Sequence, residues 1–429
     1  MRITNHHRTD YGSIRELVYV TPVMPAPTGG GRQMRAWQFL LLYSGRYRIT
    51  LVVADHRGPV PSAVQARVAE CLLLQPARRP GALALRLYGR LPAALRARLW
   101  PGRPLVPRLA AMSRPAALRR ALARADAVCV FRLYSLPLVQ PLLPRHRPPP
   151  LWLDLDDWES RTLGRIAALA RENGWHLAAR DHRAQQRVAE RWERRELPRA
   201  DRVFVCSVAD QTALAEAYPG VSPEVVPNCY CGAIAPPLTP KAVDRRREGY
   251  RVLFVGSMGY LPNQDAVLWF ARHVLPRVRE ALRRPLQFHI VGPGLPPWLR
   301  DELAGHCGVV CHGYAPDLGP HYRQADLVVC PVRAGGGTRI KILEAVARRR
   351  AVVTTTPGVE GLDFRAGEMA VVDGVAAFTS ATRALLSRPE RRASLADRAL
   401  QRLRRDYWLS PVGEGPARQR STGTSMQHR

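Results

Sequence analysis

Gly335, Gly336, Gly337, Thr338, Arg339, Lys341 and Glu344 crowd chemical potential into one stretch, PVRAGGGTRIKILEAVARRRAVVTTTPGVEGLD at 331–363. The mostly apolar segment Asp326–Cys330 before them reads as a strand. Ile340, Leu343 and Ala347 after them fall at helical spacing, so the glycines lie in a strand-to-helix loop. Glycines let backbone N–H groups approach a ligand without interference from Cβ, and an adjoining helix N-terminus favours an anion. Thr338 is the expected N-cap. Arg339 and Lys341 then fall in the first turn, where the macrodipole disfavours cations. A bound anion removes that penalty, and the one that suits the loop is a diphosphate, whose charge Arg339 and Lys341 would stabilise. Glu344 shares the inward face with Ile340 and Ala347, so its carboxylate needs partners. The vicinal hydroxyls of a ribose qualify, and so does one of the chain's arginines.

Two other stretches carry groups that could meet a ligand. LWLDLDDWES at 151–160 is a strand ending in acids, and alternation places Asp154 and Asp156 on one face and Asp157 on the other. The carboxyl end of a parallel strand is where α/β folds present ligand-contacting groups. Asp156 and Asp157 are the candidates, and a helix N-cap with acids in its first turn explains them equally. TPVMPAPTGGGRQMRAWQFLLLYSG at 21–45 is again strand, Pro/Gly-rich loop and helix, with Gly29, Gly30 and Gly31 at the turn and Arg32 and Arg35 available to assist with an anion. Eight cysteines sit mostly in apolar runs and read as reduced thiols. His306, Cys307, Cys311 and His312 lack a companion pair at zinc-site spacing, as do Cys229 and Cys231, so no metal is expected.

VGSMGYLPNQDAVLWF at 255–270, HGYAPDLGPHYRQADLVVCPV at 312–332 and the glycine-loop run together resemble the donor half of retaining, nucleotide-sugar-dependent glycosyltransferases of family 4. The resemblance covers most of 250–365. It implies an α/β protein of GT-B fold, with two Rossmann-like doubly wound parallel-sheet domains facing a cleft. It implies a nucleotide-diphosphate sugar as donor substrate, no cofactor, a glycan or lipid-linked acceptor, and retention of configuration. The implied donor site is Gly256, Ser257, Asn263, Gly292, Gly313, Tyr314, Gly335–Gly337, Thr338, Arg339 and Lys341, with Glu344 on the ribose and the Gly29–Gly31 loop facing the cleft. Many members carry two glutamates separated by seven residues; Glu344 matches the second, but Gly336 stands at the first. The basic pair many members carry after the first donor-domain strand is missing from GSMGYLPNQD. The form GGGTR-K-LEA is similar to that of a subgroup associated with surface polysaccharide assembly.

The elements that must position these groups follow from pattern and length. At 429 residues the chain accommodates two domains. Strands at Leu17–Val23, Arg48–Ala54, Asp126–Phe131, Leu151–Asp157, 201–207 and 224–228 build an acceptor-side domain over 17–234, with a long charged helix at Ala178–Leu197. A proline-rich linker at 235–249 leads to a donor domain over 250–387, where strands alternate with helices as a doubly wound parallel sheet requires. A helix at 388–408 is expected to pack back on the first domain, between a polar extension at 1–16 and a polar tail at 409–429.

The stretch 57–125 reads as short amphipathic basic helices, a composition suited to a membrane surface. Net charge is +30, yet only two of 65 basic residues are lysines and the arginines are spread along the chain, so anionic lipid and nucleotide-sugars are favoured over any specific nucleic acid. No apolar run reaches the ~18–20 residues that span a bilayer, and the first thirty residues carry no signal-peptide pattern. The expected location is the cytoplasm, peripheral on the inner face of the membrane. Two rivals stand: a nucleotide-sugar epimerase on the same fold, and a non-catalytic basic protein binding anionic surfaces or nucleic acid.

Overall fold

The computed structural model describes residues 15–54, 56–78, 80–99, 106–236, 249–282 and 284–409. The N-terminal extension before Arg15, most of the expected linker and the tail beyond Leu409 lie outside the described residues.

Two all-parallel sheets organise the chain. The first runs β3-β2-β1-β4-β5-β6-β7, with β1 (Arg15–Thr21), β2 (Tyr47–Ala54), β3 (Glu70–Leu74), β4 (Ala127–Phe131), β5 (Leu151–Asp156), β6 (Arg202–Val205) and β7 (Pro223–Val225). The second runs β10-β9-β8-β11-β12-β13, with β8 (Tyr250–Val255), β9 (Leu286–Val291), β10 (Val309–Gly313), β11 (Leu327–Cys330), β12 (Val352–Thr354) and β13 (Ala370–Val371). In each sheet the first strand lies between the second and the fourth strand, so the order reverses there and a crevice opens at the carboxyl ends.

Central strands are apolar on both faces because helices cover both. Along β1, Val18 and Val20 belong to one core while Leu17 and Tyr19 belong to the other, as a period of two demands. Leu17 stands opposite Ile49 on β2 and Ala127 on β4. The edge strand β3 was not expected within 57–125: ECLLL pairs with β2 through Leu51↔Cys71 and Val52↔Leu72, and the tertiary ladder overrides the helix-like composition around it. The remaining segments there are short helices at Ser62–Gln65, Pro80–Tyr88, Ala93–Leu99, Pro107–Ala110 and Ala116–Arg124.

The chain ends by crossing back. The helix Pro389–Arg402 buries Leu395, Ala399 and Leu400 in the second domain's core. Among the described residues those after it reach the first domain: Tyr230 donates its amide to the Tyr407 carbonyl at 2.7 Å, and Leu409 is buried among Leu17, Phe39 and Cys229.

Candidate active site

β11 delivers the glycine loop to the crevice of the second sheet, beside the end of β8. Gly335 and Gly337 have φ of +120° and +68°, a region that side chains disfavour. The helix begins at Ile340, and Arg339 rather than Thr338 precedes it, with no side-chain cap. The reason is the Arg339 guanidinium, which folds back over the loop and donates to the carbonyls of Gly336, Gly337 (2.6 Å) and Ala334 (3.4 Å). In a planar trans peptide the N–H points opposite to the carbonyl. The amides of Gly335, Gly337 and Thr338 are therefore turned away from the guanidinium, and none makes a backbone hydrogen bond among the described residues. Arg339 is 8% exposed, so it shapes the loop instead of reaching out from it.

Lys341 does reach the crevice. Its ammonium donates to Asn263 Oδ1 at 2.7 Å and lies 4.3 Å from the centre of the Phe254 ring. Burial, with a smaller push from Arg339, brings its pKa down from 10.5 to about 8. Asn263 in turn donates to the Ser257 carbonyl at 2.7 Å, and a Cβ at Gly256 would stand 2.6 Å from the ammonium. Gly256, Ser257, Asn263 and Lys341 are thus one cluster at the end of β8. Gly292 closes it from β9, donating its amide to the Gly313 carbonyl at 2.7 Å. Tyr314 stands apart, 72% exposed beyond β10. Glu344 accepts from the Tyr322 hydroxyl at 3.2 Å; burial raises its pKa against the opposing pull of Arg348 and that hydrogen bond.

The first domain presents the end of β5 across the gap. Strict alternation fails here, because the register against β6 shifts between Asp154 and Asp156 and Asp156 takes φ of +62°. Asp154 is fully buried and paired with Arg35, which donates from Nε at 3.0 Å and Nη2 at 2.8 Å. Arg35 is therefore an internal counter-ion and does not serve an external anion. Asp156 accepts from Asn228 at 3.0 Å. Asp157 accepts from Arg132 and from the Thr162 hydroxyl at 3.0 Å. Arg132, at the end of β4 with φ of +68°, also binds Glu159 and the Leu155 carbonyl (3.0 Å).

The two halves meet at the glycine loop. A Cβ at Gly336 would collide with the Thr162 hydroxyl and stand 2.9 Å from Asp157 Oδ2, while one at Gly337 would stand 3.1 Å from Asp157 Cβ. Arg165 donates to the Gly335 carbonyl at 3.2 Å and to Glu360 at 2.5 Å. From the first glycine loop, a Cβ at Gly31 would stand 3.7 Å from the Ile340 side chain, and Gly29, Gly30, Gly31 and Arg32 are exposed, the Arg32 guanidinium lying 5.8 Å from the Tyr134 ring centre. The structure thus brings Asp156, Asp157, Gly335–Gly337, Arg339 and Lys341 to one cleft. Tyr260, whose hydroxyl sits 2.6 Å from the Cβ position of Gly335, joins them. Sequence reasoning missed Arg132, Tyr260, Thr162 and Arg165. The first two directly follow or closely follow apolar strands, the same signal that singled out Asp156. Thr162 and Arg165 carry no local signal, being placed by the opposite domain.

Among the described residues no group of three or more His, Cys, Asp or Glu is arranged to hold a metal. Five cysteines are buried and unbridged, while Cys307 and Cys311 are exposed.

No curated protein matches the sequence. Solved structures match across nearly the whole chain. Anabaena HepE, in complex with UDP and glucose, aligns at a TM-score of 0.59 and 14% identity over 92% of this chain and 96% of that one. An S. aureus TarM mutant in complex with Fondaparinux, alpha-GlcNAc-glycerol and UDP aligns at 0.62 and 9% identity, over 92% and 97%. A UDP-forming trehalose-phosphate synthase from Burkholderia xenovorans aligns at 0.55 and 14% identity, over 93% and 98%. The fold is therefore that of the GT-B glycosyltransferase structures, and residues 249–388 match the family described as glycosyl transferases group 1.

Proposed function

We propose that the protein is a glycosyltransferase that moves a hexose from a nucleotide-diphosphate sugar to a hydroxyl of a glycan or lipid-linked acceptor, with retention of configuration, in surface polysaccharide assembly. The observation that carries this reading is that the glycine loop, with three amides making no backbone hydrogen bond among the described residues, and the Lys341 ammonium both lie at the second sheet's crevice, facing a carboxylate–arginine cluster from the first domain. Glycosyl transfer passes through an oxocarbenium-like state while negative charge grows on the departing diphosphate. Preorganised amides and a cation held by Asn263 meet that charge without reorganisation. Glu344 accepts from the ribose hydroxyls, and its bond to Tyr322 orients it. Asp156 and Asp157, held by Asn228, Arg132 and Thr162, position sugar hydroxyls at the cleft wall. Those carboxylates are engaged in hydrogen bonds, which favours a route in which the leaving phosphate accepts the acceptor's proton. The reaction needs neither cofactor nor metal in this reading.

UDP in two of the aligned structures makes uridine nucleotides the first arm of the test. Thermal unfolding of the purified chain is measured against UDP, ADP, GDP and their sugar conjugates, with Lys341→Ala and Glu344→Gln alongside. One nucleotide series should raise Tm, and both variants should lose the shift. No shift with any nucleotide overturns the reading.

A further inference from the structure

Most of the basic stretch 57–125 folds onto the first sheet, but one part of it leaves its apolar residues in solvent. The helices Pro80–Tyr88 and Ala93–Leu99 form a hairpin, tied by the Tyr88 hydroxyl donating to the Arg96 carbonyl at 2.8 Å. Ala82 is buried on the inner side, and the Ala94 amide donates to Asp181 at 3.0 Å, which anchors the hairpin to the long helix His176–Glu196. On the outer side Leu83 and Leu87 are 57% and 54% exposed, and Leu95 and Leu99 are 42% and 62% exposed. Each pair is spaced i, i+4 and so lies on one stripe of its helix. Leu177, one turn before Asp181, is 84% exposed in the same neighbourhood. Such clustering is uncommon on a soluble surface and marks a site of contact.

The charge around the leucines selects the partner. From residue 71 to 125 the chain carries 12 arginines and no aspartate, glutamate or lysine. Arg86, Arg90 and Arg98 are exposed on the hairpin itself, and Arg180, Arg183 and Arg187 on the helix beneath it. A second copy of this chain would bring the same arginines against themselves. Nucleic acid would leave the leucines without an apolar partner, since base stacking uses aromatic side chains. An anionic phospholipid surface satisfies both features: acyl chains take the leucines, and headgroup phosphates take the arginines, whose stems lie along the apolar boundary. We propose that the 80–99 hairpin docks this protein on an anionic phospholipid bilayer.

The test uses the full chain without any donor nucleotide, so its outcome is independent of the transferase reading. Binding is measured by co-sedimentation with vesicles of phosphatidylcholine alone and of phosphatidylcholine and phosphatidylglycerol at about 7:3. The protein should sediment with the mixed vesicles only, and less so as salt rises. The combined variant Leu83→Ser, Leu87→Ser, Leu95→Ser, Leu99→Ser should weaken binding by about tenfold or more with only a small fall in Tm, because these side chains are already about half exposed. If it fails to fold, Arg86→Gln with Arg90→Gln and Arg98→Gln serves instead and should also lower binding. Equal binding to both vesicle types, full binding by both variants, or a leucine-dependent dimer with no vesicle binding overturns the proposal. Capture of duplex DNA in preference to the mixed vesicles does the same.

Discussion

Lys341 is one of two lysines in a chain otherwise supplied with arginine, and its environment explains why the smaller cation suits the place. Gly256 and Asn263 leave room for a single ammonium, whereas a guanidinium needs a wider fork. With a pKa near 8, below its ordinary 10.5, this lysine binds fewer protons folded than unfolded between those two values. Its burial therefore costs stability below pH 8, and that cost fades as pH rises toward 10.5. The penalty is on the order of 1–3 kcal/mol once solvent screening is allowed for. Lys341→Met should thus unfold no more easily than the native chain at pH 7, while losing nucleotide-induced stabilisation. In the native chain, nucleotide affinity should fall by about tenfold between pH 7 and pH 9 as the ammonium is lost, a dependence absent in Lys341→Met. Calorimetric titration at the two pH values decides it. A flat profile in the native chain would remove Lys341 from the proposed diphosphate site.

Between the first glycine loop and the acidic strand end, the helix Gly31–Ser44 and β5 are joined by the Arg35–Asp154 pair, with no exposed atom in either side chain. Neither charge can be left alone there. Asp154→Ala should cost about 3–5 kcal/mol in denaturant unfolding, and Arg35→Met with Asp154→Leu should recover most of it, since an apolar replacement of both partners avoids the stranded charge. If the double variant is as unstable as the single one, the pair does more than neutralise itself. These elements also show how far the chain could be read unaided. The second sheet was legible because each strand ends in glycine or a turn before an amphipathic helix, so pattern and punctuation agree. The acids of β5 were legible as a site but not as an arrangement. A register shift and two residues at positive φ decide which carboxylate faces the cleft, and neither has a signature in residue type. Thr338 was misread as a cap because propensity favours threonine, whereas the fold-back of Arg339 onto three carbonyls is a tertiary effect.

Across the whole molecule the two domains are held by contacts of unequal kind. At the chain end, Trp408 and Leu409 bridge to Tyr230 through backbone pairing and apolar burial, a durable tether. At the cleft the contacts are mixed: Met34 and Trp175 of the first domain pack on the second domain's core, Trp175 edge-on to Trp298 at 5.7 Å, and beside them lie polar pairs. Arg165 binds Glu360 at 2.5 Å, and Asn173 donates to Asp265 at 2.9 Å, where Asp265 already holds Arg333 within the second domain. The partly exposed Arg165–Glu360 pair contributes little by itself, so the polar part of the closure is the part that single substitutions can loosen. Arg165→Ala with Asn173→Ala removes the first domain's share of these two polar contacts and leaves the Asp265–Arg333 pair intact. The prediction is a radius of gyration larger by roughly an ångström in solution scattering, against a total near that of a compact chain of this length, with little change in Tm. Gly336→Ala should open the cleft from the other side, because its methyl group meets the Thr162 hydroxyl, and Thr162→Ala should restore only part of the closure, since Asp157 Oδ2 at 2.9 Å and the Cβ of residue 162 at 3.0 Å still crowd the methyl. Should both sets of variants scatter like the native chain, the cleft is locked by its apolar contacts, at Tyr230–Trp408, Met34 and Trp175–Trp298. Closure would then be a fixed property of the fold, and the proposed sugar donor would have to enter through the mouth of a shut crevice.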